Sequence, residues 1–169
     1  LGPKKFAQSG ILLVEREMRS DECQDTGGFE RVDRLGEEEV VQRQLLPAVV
    51  QLDVGERLAS LGVENPQVAW GADLISRINH AIGGVQAGDE LRCAAVEAIN
   101  ALAHDLCQSV GQATTDIMDA TLCGNTAMHH LLLGLPVRQL GRAPFVAAAR
   151  AAMNLKCREL GLTFAAGAW

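Results

Sequence analysis

The longest periodic pattern of apolar residues in this chain lies between residues 89 and 110. Apolar positions there recur at steps of three and four, the spacing that places side chains on one face of an α-helix. They are Leu91, Ala95, Ile99, Leu102, Leu106 and Val110. Polar and charged side chains occupy the other faces and Gly111 follows, so the pattern predicts an amphipathic helix that ends at this glycine.

Two apolar segments and a second helix are predicted before it. Apolar residues cluster on both sides of an Asp/Gly turn, which predicts two strands joined by that turn. They are Val49, Val50, Leu52 and Val54 in the first segment and Leu58, Leu61 and Val63 in the second. Asn65-Pro66 then ends the second strand, because a residue before proline is held extended. A helix is predicted from Ala72 or Asp73 to the glycine pair that follows Ile82. Its predicted buried face consists of Leu74, Ile75, Ile78 and Ile82.

The most informative stretch is the polar turn at Gly124, Asn125 and Thr126. An apolar run at residues 117–122 precedes it and another at residues 127–133 follows it, which predicts a buried strand, a tight turn and a buried helix. In an open α/β sheet this junction lies at the carboxyl end of a strand, where ligands bind. Its backbone N–H groups suit a phosphate, and an ordinary helix N-cap is the structural alternative.

The remaining elements complete the predicted fold class. Residues 11–14 predict a short strand, and residues 37–46 a short helix that Pro47 stops. The alanines of residues 147–160 predict a further helix, and residues 162–164 the start of a strand. This order of elements predicts an α/β fold, a mixed sheet with flanking helices.

Composition excludes several classes of function. Net charge is -6 and no basic residues cluster, which argues against a nucleic-acid or anionic membrane surface. The apolar runs are shorter than the roughly 20 residues that a membrane span needs. Five cysteines at wide spacings form no CxxC pair, so we predict no metal site and expect the reduced, mostly buried thiols of a cytoplasmic protein.

Five further polar residues are candidates for a ligand cleft or a partner surface: Asn65, Gln67, Asp73, Ser76 and Arg77. Each has a structural alternative. Asn65 and Gln67 also fit a fixed turn, and Asp73 with Arg77 also fits a helical ion pair.

Three other features are weaker candidates. His129 and His130 point about 100° apart on a helix, so they do not readily share a metal ion, and we expect one packed and one surface histidine. Asp53 precedes a glycine turn without the threonines of a phosphate loop, and Cys123 fits a buried thiol at a strand end.

Four motifs resemble one known family. They are ENPQVAWGADLISRINHA at residues 64–81, CGNTAMHHLLLGLP at residues 123–136, RQLGRAPF at residues 138–145 and LKCRELGLTFAAGAW at residues 155–169. Together they are similar to the reductive activators of corrinoid proteins. The resemblance implies part of an actin-like ATPase domain with a ribonuclease-H-like core (the ASKHA type). It also implies ATP with Mg²⁺, a corrinoid protein partner and reduction of inactive Co(II) to Co(I). Gly124, Asn125 and Thr126 would then form part of the nucleotide cleft.

The sequence also departs from that family. Full-length members carry a [2Fe–2S] cluster, but Cys23 is the only cysteine before Cys93. The Asp-Ile-Gly-Thr-Thr-Thr phosphate loop is not found, so we do not expect the chain to hydrolyse ATP alone. We expect a poorly ordered segment at residues 1–46, of which residues 19–36 form a polar loop, and a truncated half-domain at residues 47–169.

The family resemblance leaves alternatives open. The chain could be a non-catalytic half-domain that only binds a protein partner, or part of an ATPase that activates another low-potential electron acceptor. We identify no catalytic residue. A half-domain should expose apolar surface, so we expect self-association.

Overall fold

A computed structural model describes residues 9–15, 44–52 and 55–169 of the chain. One sheet contains strands β1 (Ser9–Glu15), β2 (Gln44–Gln51), β3 (Glu56–Ser60), β4 (Val63–Glu64) and β5 (Ile117–Cys123). The helices are α1 (Leu74–Ile82), α2 (Val85–Ser109), α3 (Thr126–Leu133) and α4 (Cys157–Leu160). Short 3₁₀ turns lie at Pro66–Trp70 and Thr114–Asp116. The mixed α/β architecture predicted from the sequence is confirmed.

The sheet has the strand order β3-β2-β1-β5, with β4 also paired to β2. β1 is antiparallel to β2, where Ile11 faces Val49, and parallel to β5, where Ile11 faces Ala120. Parallel strands cannot be joined by a tight turn and need a long crossover. Helices α1 and α2 lie within that crossover, and they bring β5 back into the sheet beside β1.

The prediction that Pro47 stops a helix is wrong, because Pro47 lies within β2 and pairs with β1. Proline is unusual in an inner strand because it has no N–H to donate. Here residues 48–51 of β2 pair with β3, whereas Gln44 and Leu45 pair with β4. The neighbouring strand is therefore interrupted opposite Pro47, where the Pro47 carbonyl accepts a hydrogen bond from Leu61 N at 3.2 Å. Residues 37–43 lie outside the described part of the chain.

Helix α2 joins two hydrophobic clusters. Its carboxyl-terminal half packs through Ile99, Leu102 and Leu106 on the sheet and on the last residues of the chain. Its amino-terminal half packs through Leu91 against α1 and α3. The predicted buried face of α2 is confirmed from Leu91 to Leu106, but Val110 is half-buried and follows the end of the helix. The helix also begins four residues earlier than the predicted Asp89.

The predicted buried face of α1 is wrong at one position. Ile75 is 54% exposed, whereas Ile78 is 2% exposed in the cluster with Leu91. Ile75 lies about 100° around the helix from Leu74 but only about 20° from Ile82, so helical spacing alone does not predict its exposure.

The predicted helix over residues 147–160 is also wrong, since only α4, Cys157–Leu160, is helical there. Residues 162–164 form no strand either, but Leu162 and Phe164 are buried against α2 and the sheet. Ala165 N donates to Ile117 O at 3.1 Å, and Ala120 N donates to Trp169 O at 2.7 Å. Packing and backbone contacts with β5 therefore hold residues 162–169 in place without a strand.

The close approach at Gly71 yields a test of the packing. We expect Gly71→Ala to lower the free energy of unfolding by about 1–3 kcal/mol, as overpacking does. A Cβ there would lie 2.8 Å from Arg77 N and 2.8 Å from the Ser76 Cβ. Urea denaturation measures the change.

Gly88→Ala is the matched control. A Cβ at Gly88 meets nothing within 4 Å, and the residue lies inside α2. This variant should gain roughly 0.5–1 kcal/mol because alanine favours the helix. Equal stability changes in the two variants would contradict the packing at Gly71.

Candidate functional site

A cleft of about 560 Å³ opens at the carboxyl end of β5. Gly124 and Thr126, at the corner between β5 and α3, line one side of it. Residues 149–155 line a second side, and Asn65 and Gln67 lie on its inner wall. The sequence-predicted turn therefore borders a cavity large enough for a small-molecule ligand.

The corner itself is a capped helix start. Asn125 is the N-cap of α3, and its side-chain oxygen accepts a hydrogen bond from Met128 N at 2.9 Å. Thr126 N and Ala127 N donate no hydrogen bond within the part of the chain that the structure describes. These two donors, together with the positive end of the helix dipole, favour an anion. The N-cap and the phosphate-binding interpretations of this turn are thus compatible.

The inner wall is held by amide side chains. Asn65 and Gln67 are each 1% exposed. Asn65 Oδ1 accepts from Gln67 N at 2.9 Å, and Gln67 Nε2 donates to Leu91 O at 2.9 Å. These contacts are those of a fixed turn, and they tie the Pro66–Trp70 turn to α2.

The other three candidates lie outside the cleft lining. Asp73 is the N-cap of α1 and accepts hydrogen bonds from Ser76 N at 2.8 Å and Ser76 Oγ at 2.9 Å. Arg77 is 3% exposed, and its Nε donates to Gly71 O at 3.0 Å. Arg77 also contacts the sulfur of Met128, 3.6 Å away on α3. The structure therefore places these residues where they fix α1, not where a cleft ligand would touch them.

The packed histidine that the sequence predicts is His130, which is 0% exposed. The other, His129, is half-buried in the cleft lining and is not the surface histidine that was predicted. Burial lowers the pKa of His129, and the neighbouring His130 adds a smaller lowering. His130 Nδ1 lies 2.6 Å from Thr126 O, and His130 Nε2 accepts from Ala148 N at 3.0 Å and Ala149 N at 3.2 Å.

Comparison with known proteins identifies the family. Residues 43–169 match the family described as the RACo middle region. The chain belongs to this family. A curated relative, the corrinoid activation enzyme RamQ from Eubacterium limosum, is 36% identical over 92 residues, which are 54% of this chain and 16% of that protein. A solved structure of a reductive activator for a corrinoid, iron–sulfur protein matches with a TM-score of 0.70 at 31% identity.

That structural match covers 72% of this chain and 19% of the solved one. The chain thus spans less than a fifth of the length of either relative. The RACo middle region described here contains no helix, within residues 9–15, 44–52 and 55–169, that is long and apolar enough to cross a membrane.

The described residues of this RACo middle region do not fit an iron–sulfur cluster. No three His, Cys, Asp or Glu side chains come together among them in a group that could hold a metal ion. Cys107 and Cys157 are buried, and burial raises the pKa of both thiols. Cys123 is half-buried in the cleft lining, as its position at the end of β5 dictates. Cys23 and Asp53 lie outside the described residues.

Sequence reasoning missed three features of the cleft in this RACo middle region. One is the segment at residues 149–155, which was predicted to be helical. The second is the contact of His130 with that segment. The third is Asp119, the one carboxylate among the described residues that line the cleft. Asp119 is the one charged residue in β5, which the sequence already indicated, whereas the other two depend on distant parts of the chain.

The N-cap of α1 predicts a specific dependence of stability on pH. The hydrogen bonds from Ser76 N and Ser76 Oγ lower the pKa of Asp73 below its ordinary value of 3.8. The unfolded chain therefore binds this proton more readily than the folded protein does. The stabilisation is present above pH 3.8 and is lost as the pH falls below it, through the folded pKa.

Asp73→Asn tests this, because asparagine also caps helices but does not titrate. Between about pH 5 and about pH 2, the free energy of unfolding of this variant should fall less than that of the wild type. If the free energy of unfolding falls equally with pH in the two proteins, protonation of Asp73 does not affect stability.

Proposed function

We propose that this chain forms one wall of the nucleotide cleft in an ATP-dependent reductive activator of a corrinoid methyl-carrier protein. The observation that carries the proposal is the β5–α3 corner of a chain that belongs to the RACo middle region family. Among the described residues, Thr126 N and Ala127 N donate no hydrogen bond, and Thr126 lines the cleft. The relatives named above, a corrinoid activation enzyme and a reductive activator, support the corrinoid protein as the partner.

The sheet supports a fold of the actin-like type with a ribonuclease-H-like core. Three antiparallel strands, in the order β3-β2-β1, are extended by the parallel strand β5 after a helical crossover. Ligands of such open sheets bind beyond the carboxyl ends of parallel strands. The cleft lies at that end of β5.

The proposed reaction is the transfer of one electron to Co(II), which gives Co(I). Its source is a donor of the iron–sulfur class, and no residue described here would hold that donor. When bound, ATP with Mg²⁺ supplies binding free energy that favours one conformation of the activator over another. The residues of this chain would hold the phosphates at the corner of β5 and α3. We place the protein in the cytoplasm, where the corrinoid partner would be reduced.

One observation favours a second candidate, a half-domain that binds a protein partner without turning over ATP. The described cleft lining offers a single carboxylate, Asp119, whose Oδ1 already accepts a hydrogen bond from Ala120 N at 3.0 Å. Phosphoryl transfer generally needs several groups to hold Mg²⁺ and the transferred phosphate.

Asn125→Asp tests the proposal at the corner. Aspartate caps helices as well as asparagine does, so the fold should be retained. The new carboxylate would repel the phosphates beside Thr126 N. We expect the variant to bind ATP with Mg²⁺ about tenfold more weakly, which corresponds to roughly 1.4 kcal/mol. Isothermal titration calorimetry measures the two affinities.

Asn79→Asp is the matched control, because it adds the same charge at an exposed position of α1 outside the cleft lining. Its affinity for ATP should equal that of the wild type. If the wild type binds a Co(II) corrinoid protein in the same assay but not ATP, the second candidate replaces the first. If both variants weaken ATP binding equally, the added charge acts at long range and the β5–α3 corner does not bind the phosphates.

A further inference from the structure

The second wall of the cleft is a segment with few contacts of its own. We call residues 148–155 the strap, and all of it except Ala148 lines the cleft. Residues 150–155 make no hydrogen bond with any part of the chain that the structure describes. Its sequence, AARAAMNL, is rich in strong helix formers, yet no residue of the strap is helical. A segment of this kind opens with a low free energy.

One buried side chain fixes the amino-terminal end of the strap. His130 Nε2 accepts hydrogen bonds from both Ala148 N and Ala149 N, at 3.0 Å and 3.2 Å. Two N–H groups directed at Nε2 require that this nitrogen carries no proton. The ring proton is therefore on Nδ1, which donates to Thr126 O at 2.6 Å. The imidazole thus links the strap to the first turn of α3.

The link joins the two sides of the cleft directly. Thr126 belongs to the corner that we propose to bind phosphates, and Ala149 begins the cleft-lining part of the strap. The strap also carries Arg150, the one lysine or arginine among the described residues that line the cleft. Moving the strap would change both the width of the cleft and the position of this positive charge.

We propose that His130 is a positioning residue that holds the strap as a movable wall of the cleft. Its Nε2 accepts two hydrogen bonds from the backbone of the strap, and these bonds, not only the packing of the ring in the core, hold the strap in place. The position of the strap follows from contacts within this chain. Only its closure over a nucleotide rests on the proposed function.

Amide hydrogen exchange in His130→Gln and His130→Leu separates the two roles. Glutamine can present a carbonyl oxygen near the position of Nε2, whereas leucine fills the site without an acceptor. We expect exchange at Ala148 and Ala149 to rise about tenfold or more in His130→Leu and to stay near wild type in His130→Gln. Protection within α2 and the later turns of α3 should be retained in both.

Equal exchange in the two variants would overturn the proposal. So would a loss of protection throughout α2 and α3 in His130→Leu, because His130 would then act through packing. If His130→Leu does not fold, Ala149→Pro removes one donor from the other side of the link. Ala151→Pro is its control, because Ala151 N donates no hydrogen bond to any described residue. Exchange at Ala148 should rise only in Ala149→Pro, and equal exchange in both proline variants would overturn the proposal.

Addition of ATP with Mg²⁺ tests closure separately. We expect ATP to slow exchange across the strap in the wild type and to bind more weakly to His130→Leu than to His130→Gln. If ATP changes no amide in any variant while the Gln and Leu variants still differ, the proposed nucleotide site fails and the role of His130 stands. If ATP binds equally well to both variants, closure of the strap over the nucleotide is refuted.

Discussion

The parallel pairing of β5 with β1 is the constraint on which the rest of the structure depends. It requires a long crossover, and α1 and α2 lie in it, so the connection that leads to β5 also supplies the helix α2 that packs on the sheet. The far side of β5 is joined at Ile117 and Ala120 to the last residues of the chain. β5 continues at its carboxyl end into α3, so the corner at Gly124–Thr126 lies beyond the end of this strand, where Gly124 and Thr126 line the cleft.

The cleft is built from elements of unequal stability. Its inner wall is rigid because Asn65 and Gln67 are buried and Gln67 bonds to the backbone of α2. Its corner is fixed by the Asn125 cap. The strap, in contrast, is attached to α3 through His130 alone among its described hydrogen bonds. A ligand that entered this cleft would meet two fixed walls and one wall that can move, a common arrangement where binding and conformational change are coupled.

Much of the fold was predictable from sequence because its central elements are strongly periodic. The buried face of α2 and the β5–turn–α3 junction follow from the spacing of apolar residues and from the Gly-Asn-Thr turn. The errors have identifiable causes. Pro47 is tolerated in β2 because the adjacent strand is interrupted opposite it. The alanines after residue 147 favour a helix, but Ala148 N and Ala149 N donate instead to His130, which is distant in sequence. Such long-range contacts leave no local signal in the sequence.

We infer that the β5–α3 corner and the strap enclose a nucleotide. Amide chemical shifts, recorded as ATP with Mg²⁺ is added to the isotope-labelled protein, test this most directly. We expect the largest changes at Gly124, Thr126 and Ala149, which border the cleft. Changes confined to the separate depression between α1 and the turn at Gly134–Val137, or no changes at all, would contradict it.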